Sequence, residues 1–376
     1  MATVEGAHNY VYDDIYRLTN ASHPAGSPES YTYDKVGNRK TSRDYPTWNC
    51  DANNRLTSFN GTTFTYDNNG NTISKTKSGQ TTNYTYDYEN RLSRVFATPP
   101  QAGEAIYTYD PFGRRLSKTV NGVTKYYLYD NEDIIAEYDN VGNMIASYVH
   151  GQGIDEPIAR TDNRIPRTDY YTFDGLGSVS ELTDSGQNIA EAYKYDSFGN
   201  LQTPPATGNP YTYASREYDI ETGLYFYRAR YYDANVGRFL IEDPIRFDGG
   251  INFYIYVENN SINYVDSSGL GGSWCPRYGN YCGIDWSGGK EIRAGEIGPD
   301  VAPVDAMDKC CKEHDKCVYA AEHPKDKCSP GKRKECDKAL GKCLRNLPSD
   351  PKQWQPPAKD PKRAQRYRDK AEWAFK

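Results

Sequence analysis

The chain has 376 residues, of which 35 are tyrosine and nine are cysteine, and its formal net charge is −6. A chain of this length is expected to form two or three domains. An aromatic content of 14% argues against an intrinsically disordered chain. No run approaches the roughly 18 apolar residues of a transmembrane helix, and the first residues lack the basic and apolar regions of a signal peptide.

Composition and charge change sharply near residue 270. Eight of the nine cysteines follow that point, whereas 31 of the 35 tyrosines precede it. Residues 271–376 contain 22 Lys and Arg against 16 Asp and Glu, a net charge of +6, and the preceding residues carry −12. The sequence therefore predicts two structural units that join near residue 270.

The N-terminal unit consists of a repeated motif in which an aromatic residue, a variable residue and a further aromatic residue precede Asp. Copies include Tyr31–Asp34, Tyr84–Asp87 and Tyr107–Asp110. Successive motif Asp residues lie 20 to 23 positions apart between Asp67 and Asp130, which indicates a repeat architecture. Alternating aromatic and Thr residues favour a strand, and the Asp-x-x-Gly-Asn that often follows favours a turn. We therefore predict hairpins that stack into a long sheet. The tyrosines are interpreted as sheet core, with a sugar-stacking surface as the alternative.

These units resemble the YD repeats of the RHS family, and the residues that follow resemble its associated core. The core similarity is carried by Gly223–Asp233, Gly237–Ile245 and Asn263–Leu270. The resemblance implies an all-β shell over residues 1–215 and an RHS-associated core over 216–270. It further implies a C-terminal toxin enclosed by the shell, as in bacterial polymorphic toxins, with a cognate immunity protein as a partner.

The same resemblance implies self-cleavage at the end of the core, after Leu270. The family ends its core in Asp-Pro-x-Gly-Leu, and Ser267 stands in this chain where Pro is usual. Asp233 and Asp243 are the predicted aspartyl pair for this cleavage. The alternative interpretation is that both are turn residues.

The second unit is predicted to be a small α-helical, disulfide-rich domain. Eight cysteines within residues 271–376 indicate a disulfide framework and an oxidising destination. Helices are predicted near Val304–Ala321 and Lys332–Leu347, with Pro303 placed where Pro is tolerated at a helix start.

Cysteine spacing predicts that two disulfides clamp these helices. Each helix carries two cysteines seven residues apart, on one face. In an antiparallel arrangement the register gives the pairs Cys310–Cys343 and Cys317–Cys336. His314 lies on the same seam and Asp337 faces it, an arrangement that suits a general base held by a carboxylate. A glycine-bearing loop that donates carbonyls, together with Asp315, would suit Ca²⁺.

The segments Tyr278–Gly283, Cys310–Cys317 and Cys336–Cys343 are similar to those of secreted phospholipase A2. The resemblance implies that His314 is the base and Asp337 its partner. The implied Ca²⁺ ligands are the carbonyls of Tyr281, Gly283 and Asp285 and the carboxylate of Asp315.

The phospholipase resemblance also extends the predicted disulfide framework. It implies a bond between Cys282 and Cys311, and this leaves Cys275 and Cys328 as the remaining pair. Cys50 is then expected to be an unpaired residue of the shell.

The sequence thus predicts a Ca²⁺-dependent phospholipase A2 at 271–347, which hydrolyses the sn-2 ester of glycerophospholipids, followed by a Pro-rich, basic tail at 348–376. The tail is interpreted either as a packing helix or as a contact to anionic lipid. The expected partner is a phospholipid membrane surface rather than nucleic acid. The protein is expected to be secreted or exported without a signal peptide and to act at target membranes. The alternative is a non-catalytic lipid- or receptor-binding module on an adhesive YD-repeat scaffold.

Overall fold

The computed structural model describes residues 2–3, 6–24, 27–98 and 104–270, and in the later part of the chain 286–287, 290–291, 342–343, 346–347 and 353. The chain divides into two compact units, Met1–Trp274 and Cys275–Lys376. Within the described residues the first unit is almost entirely β-structure.

The wall of the first unit is an antiparallel meander in which each strand pairs with its neighbours in sequence. Two short strands and a four-stranded sheet come first: β1 (Ala2–Thr3), β2 (Gly6–Ala7), β3 (Asn9–Tyr12), β4 (Leu18–Ser22), β5 (Glu29–Tyr33) and β6 (Arg39–Ser42). A 15-stranded sheet follows. Its strands are β7 (Trp48–Cys50), β8 (Leu56–Phe59), β9 (Thr62–Tyr66), β10 (Thr72–Lys77), β11 (Gln80–Tyr86), β12 (Leu92–Thr98), β13 (Ala105–Tyr109), β14 (Arg115–Val120), β15 (Val123–Asp130), β16 (Asp133–Tyr138), β17 (Met144–His150), β18 (Pro157–Asp162), β19 (Arg167–Phe173), β20 (Val179–Asp184) and β21 (Ile189–Ala192). The predicted stacked hairpins are confirmed.

Nearly every repeat places its Asp at a turn, where the carboxylate closes the loop; the exception is Asp130, the last residue of β15. Asp34 Oδ1 accepts hydrogen bonds from the backbone N–H groups of Val36 at 3.0 Å and Asn38 at 2.8 Å. The Asp34 N–H in turn donates to the Asn38 carbonyl at 2.9 Å. The same three bonds recur at Asp13, Asp51, Asp67, Asp87, Asp110, Asp139, Asp174, Asp184 and Asp196. The repeat Asp residues are thereby used as turn caps.

The two aromatic positions of the motif have different structural roles. The first is buried in the core, as at Tyr84 and Tyr107. The second donates its hydroxyl to a backbone carbonyl of the preceding repeat unit, as from Tyr109 to Leu92 at 2.6 Å. Such bonds tie successive repeats together, in agreement with the interpretation of the tyrosines as sheet core.

The repeat series curves so that its first and last members meet. The ring of Tyr31 packs edge-on against Phe198 at 5.1 Å between centroids. The Ser197 N–H donates to the Glu29 carboxylate at 3.1 Å, and the Arg39 guanidinium lies 4.3 Å from the centre of the Phe198 ring. The wall is therefore closed across this seam.

Residues 217–270 form a separate element, here called the plug, that packs against the wall. It contains a four-stranded sheet and follows a 3₁₀ turn at Tyr213–Ser215. Its elements are β22 (Glu217–Asp219), β23 (Leu224–Tyr227), β24 (Arg230–Asp233), β25 (Arg238–Phe239) and the 3₁₀ turns Arg246–Gly249 and Val257–Asn259.

Buried polar contacts join the plug to distant wall strands. The Thr72 N–H donates to the Leu240 carbonyl at 2.9 Å. Arg115, on β14, pairs with Asp219 at 2.7 Å and with Glu217, and all three side chains are almost fully buried. Since a buried charge without a partner is costly, these pairs fix where the plug sits.

The second unit is described only in fragments. These are the strand pair β26 (Trp286–Ser287) and β27 (Lys290–Glu291) and the helical residues Lys342 and Cys343. The predicted helix Val304–Ala321 and most of the second predicted helix lie outside the described residues. The structure therefore gives no support to the small α-helical, disulfide-rich part of the predicted fold class. No helix in the described parts of the chain is long and apolar enough to cross a membrane.

Candidate self-cleavage site

Two aspartates of the plug converge on one buried arginine. Arg230 Nη2 lies 3.0 Å from Asp243 Oδ2 and 3.3 Å from Asp266 Oδ2. All three side chains are at most 3% exposed. The Arg230 guanidinium also stacks over the Phe239 ring, 3.6 Å from its centre. Because both carboxylates contact the same nitrogen, they form a pair that shares one positive charge.

Burial shifts the proton affinity of all three groups. It raises the pKa of the Asp266 carboxyl to about 6, against the attraction of Arg230 and with a further contribution from the charge of Asp243. Burial also raises the pKa of Asp243, again opposed by Arg230. The same loss of solvation lowers the pKa of Arg230. A carboxyl pair with raised pKa values can hold a proton near neutral pH, as general acid–base chemistry requires.

The chain that leads to Leu270 is bound by the tip of the β23–β24 hairpin. Arg228 Nη1 donates to the Ser267 carbonyl, the Ala229 N–H donates to the Ser268 carbonyl at 3.2 Å, and Arg230 Nε donates to the Gly269 carbonyl. Three consecutive residues of the hairpin thus hold three consecutive carbonyls.

A tight turn brings the same chain segment onto the carboxylate pair. The Gly269 N–H donates to Asp266 Oδ1 at 2.8 Å. Gly269 has a φ of +70°, and a Cβ added there would lie 2.0 Å from the Tyr227 carbonyl oxygen. Only glycine fits this close approach. The turn forms with Ser267 in the position where the family usually has Pro.

Asp233 is not part of this pair. Its carboxylate binds Lys75 Nζ at 2.7 Å and caps the β24–β25 turn by accepting from the Asn235 N–H at 3.0 Å. The structure thus brings together Asp243 and Asp266, whereas the sequence predicted Asp233 with Asp243. For Asp233 the alternative interpretation as a turn residue is the one that the structure shows.

Sequence analysis missed Arg230 and Asp266, although both lie in the segments that carry the RHS resemblance. The signal for Asp266 was the Asp that opens the terminal Asp-x-x-Gly-Leu sequence. No pattern in the sequence distinguished Arg230 from Arg228, since only the fold shows which guanidinium meets the carboxylates.

A small pocket lies beside Arg230. It is bounded by hairpin residues 228–231 on one side and by Tyr86, Arg91 and Tyr109 of the wall on the other.

The predicted sites of the second unit lie almost entirely outside the described residues. These are the base and its partner, His314 and Asp337, the Ca²⁺ ligands Tyr281, Gly283, Asp285 and Asp315, and the disulfide cysteines other than Cys343. Cys343 is disulfide-bonded, but its partner is not among the described residues, so the predicted disulfide pairing stays a prediction. The Ca²⁺ cofactor also stays a prediction, because its expected ligands lie outside the described residues. Cys50 is a free, half-buried cysteine of the wall. Among the described residues no group of three or more His, Cys, Asp or Glu could hold a metal ion.

Fold and repeats together define a YD-repeat shell protein. The family model described as Teneurin YD-shell matches residues 3–261, which is more than half of the chain. The chain belongs to the Teneurin YD-shell family, and the predicted RHS-type repeat shell is confirmed.

Two curated relatives are named as enzymes that act on nucleic acid. The tRNA nuclease WapA of Bacillus subtilis is 32% identical over 275 residues, which cover 69% of this chain and 12% of that protein. The double-stranded DNA deaminase toxin A of Burkholderia cenocepacia is 29% identical over 313 residues, which cover 72% of this chain and 21% of that protein. The chain therefore spans about a fifth or less of the length of these relatives.

Solved structures agree on the fold of the shell. The match to the TcdB2-TccC3-Cdc42 crystal structure has a TM-score of 0.56 at 20% identity. It covers 70% of this chain and 15% of the chain in that structure. The match to the Photorhabdus luminescens Tc holotoxin pore has a TM-score of 0.56 at 21% identity. It covers 72% of this chain and 15% of the chain in that structure. At these identities the solved structures show the fold alone. The expectation of a secreted or delivered protein has its support from the toxin among the named relatives.

The comparisons contradict the predicted enzyme. These relatives are named as a tRNA nuclease and a double-stranded DNA deaminase toxin, and neither name is that of a phospholipase. The predictions of a Ca²⁺-dependent phospholipase A2, of lipid degradation and of a phospholipid surface rather than nucleic acid as partner are therefore wrong. Action at a target membrane has no support from these relatives.

Proposed function

We propose that the first unit is a self-cleaving shell that hydrolyses its own peptide bond after Leu270 and so separates residues 271–376 from the shell. The observation that carries this proposal is the pair of buried carboxylates on Arg230, directly beside the bound segment Ser267–Gly269.

The chemistry follows from one proton shared by two carboxyl groups. The ionised member accepts a proton from the attacking water, while the protonated member donates its proton to the scissile carbonyl oxygen. When the resulting tetrahedral intermediate breaks down, the proton taken from water passes to the leaving nitrogen, and the other carboxylate takes its proton back from a hydroxyl of the intermediate. The water oxygen forms a bond to the Leu270 carbonyl carbon, and the bond from that carbon to the next nitrogen breaks. Asp266, with a pKa of about 6, is suited to hold the proton in weakly acidic to neutral solution.

Arg230 contributes position as well as charge. It binds the Gly269 carbonyl, one residue before the scissile bond. Its positive charge also offsets the electrostatic repulsion between the two carboxylates. The small pocket beside Arg230 is the proposed entry for the attacking water. The hairpin holds the segment before Leu270 beside the carboxylates, so that the reaction is intramolecular and gains from proximity.

The test is to purify the full chain and to determine the masses and the new N-terminus of its products over time. We expect two fragments that part after Leu270, and a loss of at least about 100-fold in rate with Asp243→Asn or Asp266→Asn. Asp233→Asn is the matched control and should still be cleaved, because its carboxylate binds Lys75 instead. Unchanged cleavage in either site variant, or a break at another bond, would refute the proposal.

A second proposal concerns the released segment. The names of the relatives and the net charge of +6 of residues 271–376 favour a toxin that acts on nucleic acid, since basic proteins are attracted to phosphate backbones. The cleaved protein should be incubated with tRNA, double-stranded DNA and, as a comparison substrate, phospholipid vesicles. Modification of a nucleic acid alone supports this proposal, and release of fatty acid alone overturns it.

A further inference from the structure

The Arg228 side chain links the cleavage segment to the wall. Its Nη1 binds the Ser267 carbonyl. On the other side, Nη2 lies 2.8 Å from Asp155 Oδ1 and Nη1 lies 3.3 Å from Asp155 Oδ2. One planar guanidinium therefore spans from a wall carboxylate to the peptide that is to be cut.

Asp155 comes from outside the plug. It lies between β17 and β18, in the wall segment 151–156. Its Oδ1 also accepts from Arg216 Nη1, just before β22. Asp155 thus binds two arginines that lie 12 positions apart in sequence and that meet only when the plug is seated against the wall.

The backbone at both ends of this link has an uncommon conformation. Arg228 has a φ of +52° and Asp155 a φ of +60°, although neither is glycine. Such conformations are unfavourable for residues other than glycine and persist when the surrounding contacts hold them. The bidentate pair supplies such contacts and fixes the guanidinium in the orientation that reaches Ser267.

We propose that Asp155 is a positioning residue that makes self-cleavage conditional on the seating of the plug against the wall, through the chain Asp155–Arg228–Ser267. This inference rests on the proposed cleavage after Leu270. Asp155 does not contact the carboxylate pair. It orients Arg228, which holds the segment so that Leu270 is presented to Asp243 and Asp266.

Removal of the Asp155 charge should therefore slow cleavage without changing its chemistry. With Asp155→Asn we expect a rate lower by about 10- to 100-fold, the loss that misplaced reacting groups produce. The pH at which the rate is half-maximal should stay where it is, because the carboxylate pair is untouched. Asp155→Glu should restore part of the rate.

The experiment measures cleavage of the full chain by mass spectrometry from pH 5 to pH 8, with the thermal unfolding of every variant recorded beside it. The parent and Asp243→Asn establish whether the proposed cleavage occurs. Glu156→Gln is the matched control, since this carboxylate lies in the same segment but binds the Gly153 N–H. It should be cleaved at the parent rate.

A double-mutant cycle separates positioning from general support of the fold. If Asp155 acts through Arg228, the double variant Asp155→Asn/Arg228→Met should be cleaved no more slowly than Arg228→Met alone. Additive losses would show that Asp155 acts through Arg216 instead and would overturn the inference. Cleavage of Asp155→Asn at the parent rate would also overturn it while leaving the proposed function intact. A parent chain that is not cleaved would instead refute the proposed function itself.

Discussion

The raised pKa of Asp266 predicts a specific dependence of shell stability on pH. Burial moves this pKa from its ordinary value of 3.8 to about 6. The folded shell therefore keeps the proton to a higher pH than the unfolded chain does. The resulting stabilisation is fully present below the ordinary pKa and is lost as the pH rises to the folded-state pKa. A difference of about two pKa units corresponds to about 3 kcal/mol in total, of which about 2 kcal/mol is lost between pH 4 and pH 6.5.

Urea unfolding at pH 4 and pH 6.5 tests this prediction. The chain 1–270, which is the product of the proposed cleavage, should be compared with and without Asp266→Asn, since the difference between them removes the contributions of other titrating groups. Between pH 4 and pH 6.5 we expect the free energy of unfolding of the parent to fall by about 2 kcal/mol relative to that of the Asp266→Asn variant. A stability difference that is the same at both pH values would refute the assignment of a buried, proton-holding Asp266.

Further predictions concern the contacts that form the shell and present the segment. Arg115→Met should lower the free energy of unfolding by about 3–5 kcal/mol in urea titrations, because it removes the buried partner of Glu217 and leaves Asp219 with Lys118 alone. Arg114→Met, which removes a partly exposed pair, should lower it by under about 1 kcal/mol. Tyr109→Phe should lower the free energy of unfolding by about 1 kcal/mol, because the hydrogen bond to the preceding repeat is lost. Tyr88→Phe, at a side chain that is 90% exposed, should leave the free energy of unfolding unchanged. Equal effects of the two changes would contradict the proposed role of the second motif tyrosine. Gly269→Ala should slow cleavage by at least about tenfold in the mass-spectrometric assay, because its Cβ would clash with a backbone carbonyl; cleavage at the parent rate would show that the tight turn is not needed.

The repeat architecture was predictable because its causes are local. Most motif Asp residues close a turn by bonds within four residues, as at Asp34, and the alternation of aromatic and Thr residues sets which side chains face the core. These features recur along the chain and are visible in the sequence as a period. For the second unit, almost all of the predicted sites lie outside the described residues, and the relatives contradict the activity that its motifs predicted.

The carboxylate pair at Arg230 could be predicted only in part. Asp243 was predicted from the resemblance, but its partner was predicted to be Asp233, the nearer residue in sequence, and cleavage after Leu270 stays a prediction. Spacing could not show that Asp233 would bind Lys75 of the wall, 158 positions away, or that Asp266 would reach Arg230.

The repeat and its hairpins follow from the sequence, since local hydrogen bonds and side-chain alternation depend on near neighbours. Which carboxylates share Arg230, and which wall residue binds Arg228, is visible only in the folded protein. Those pairings depend on how the closed wall and the plug meet. Residues far apart in the chain are brought together there, and burial makes their charges depend on one another.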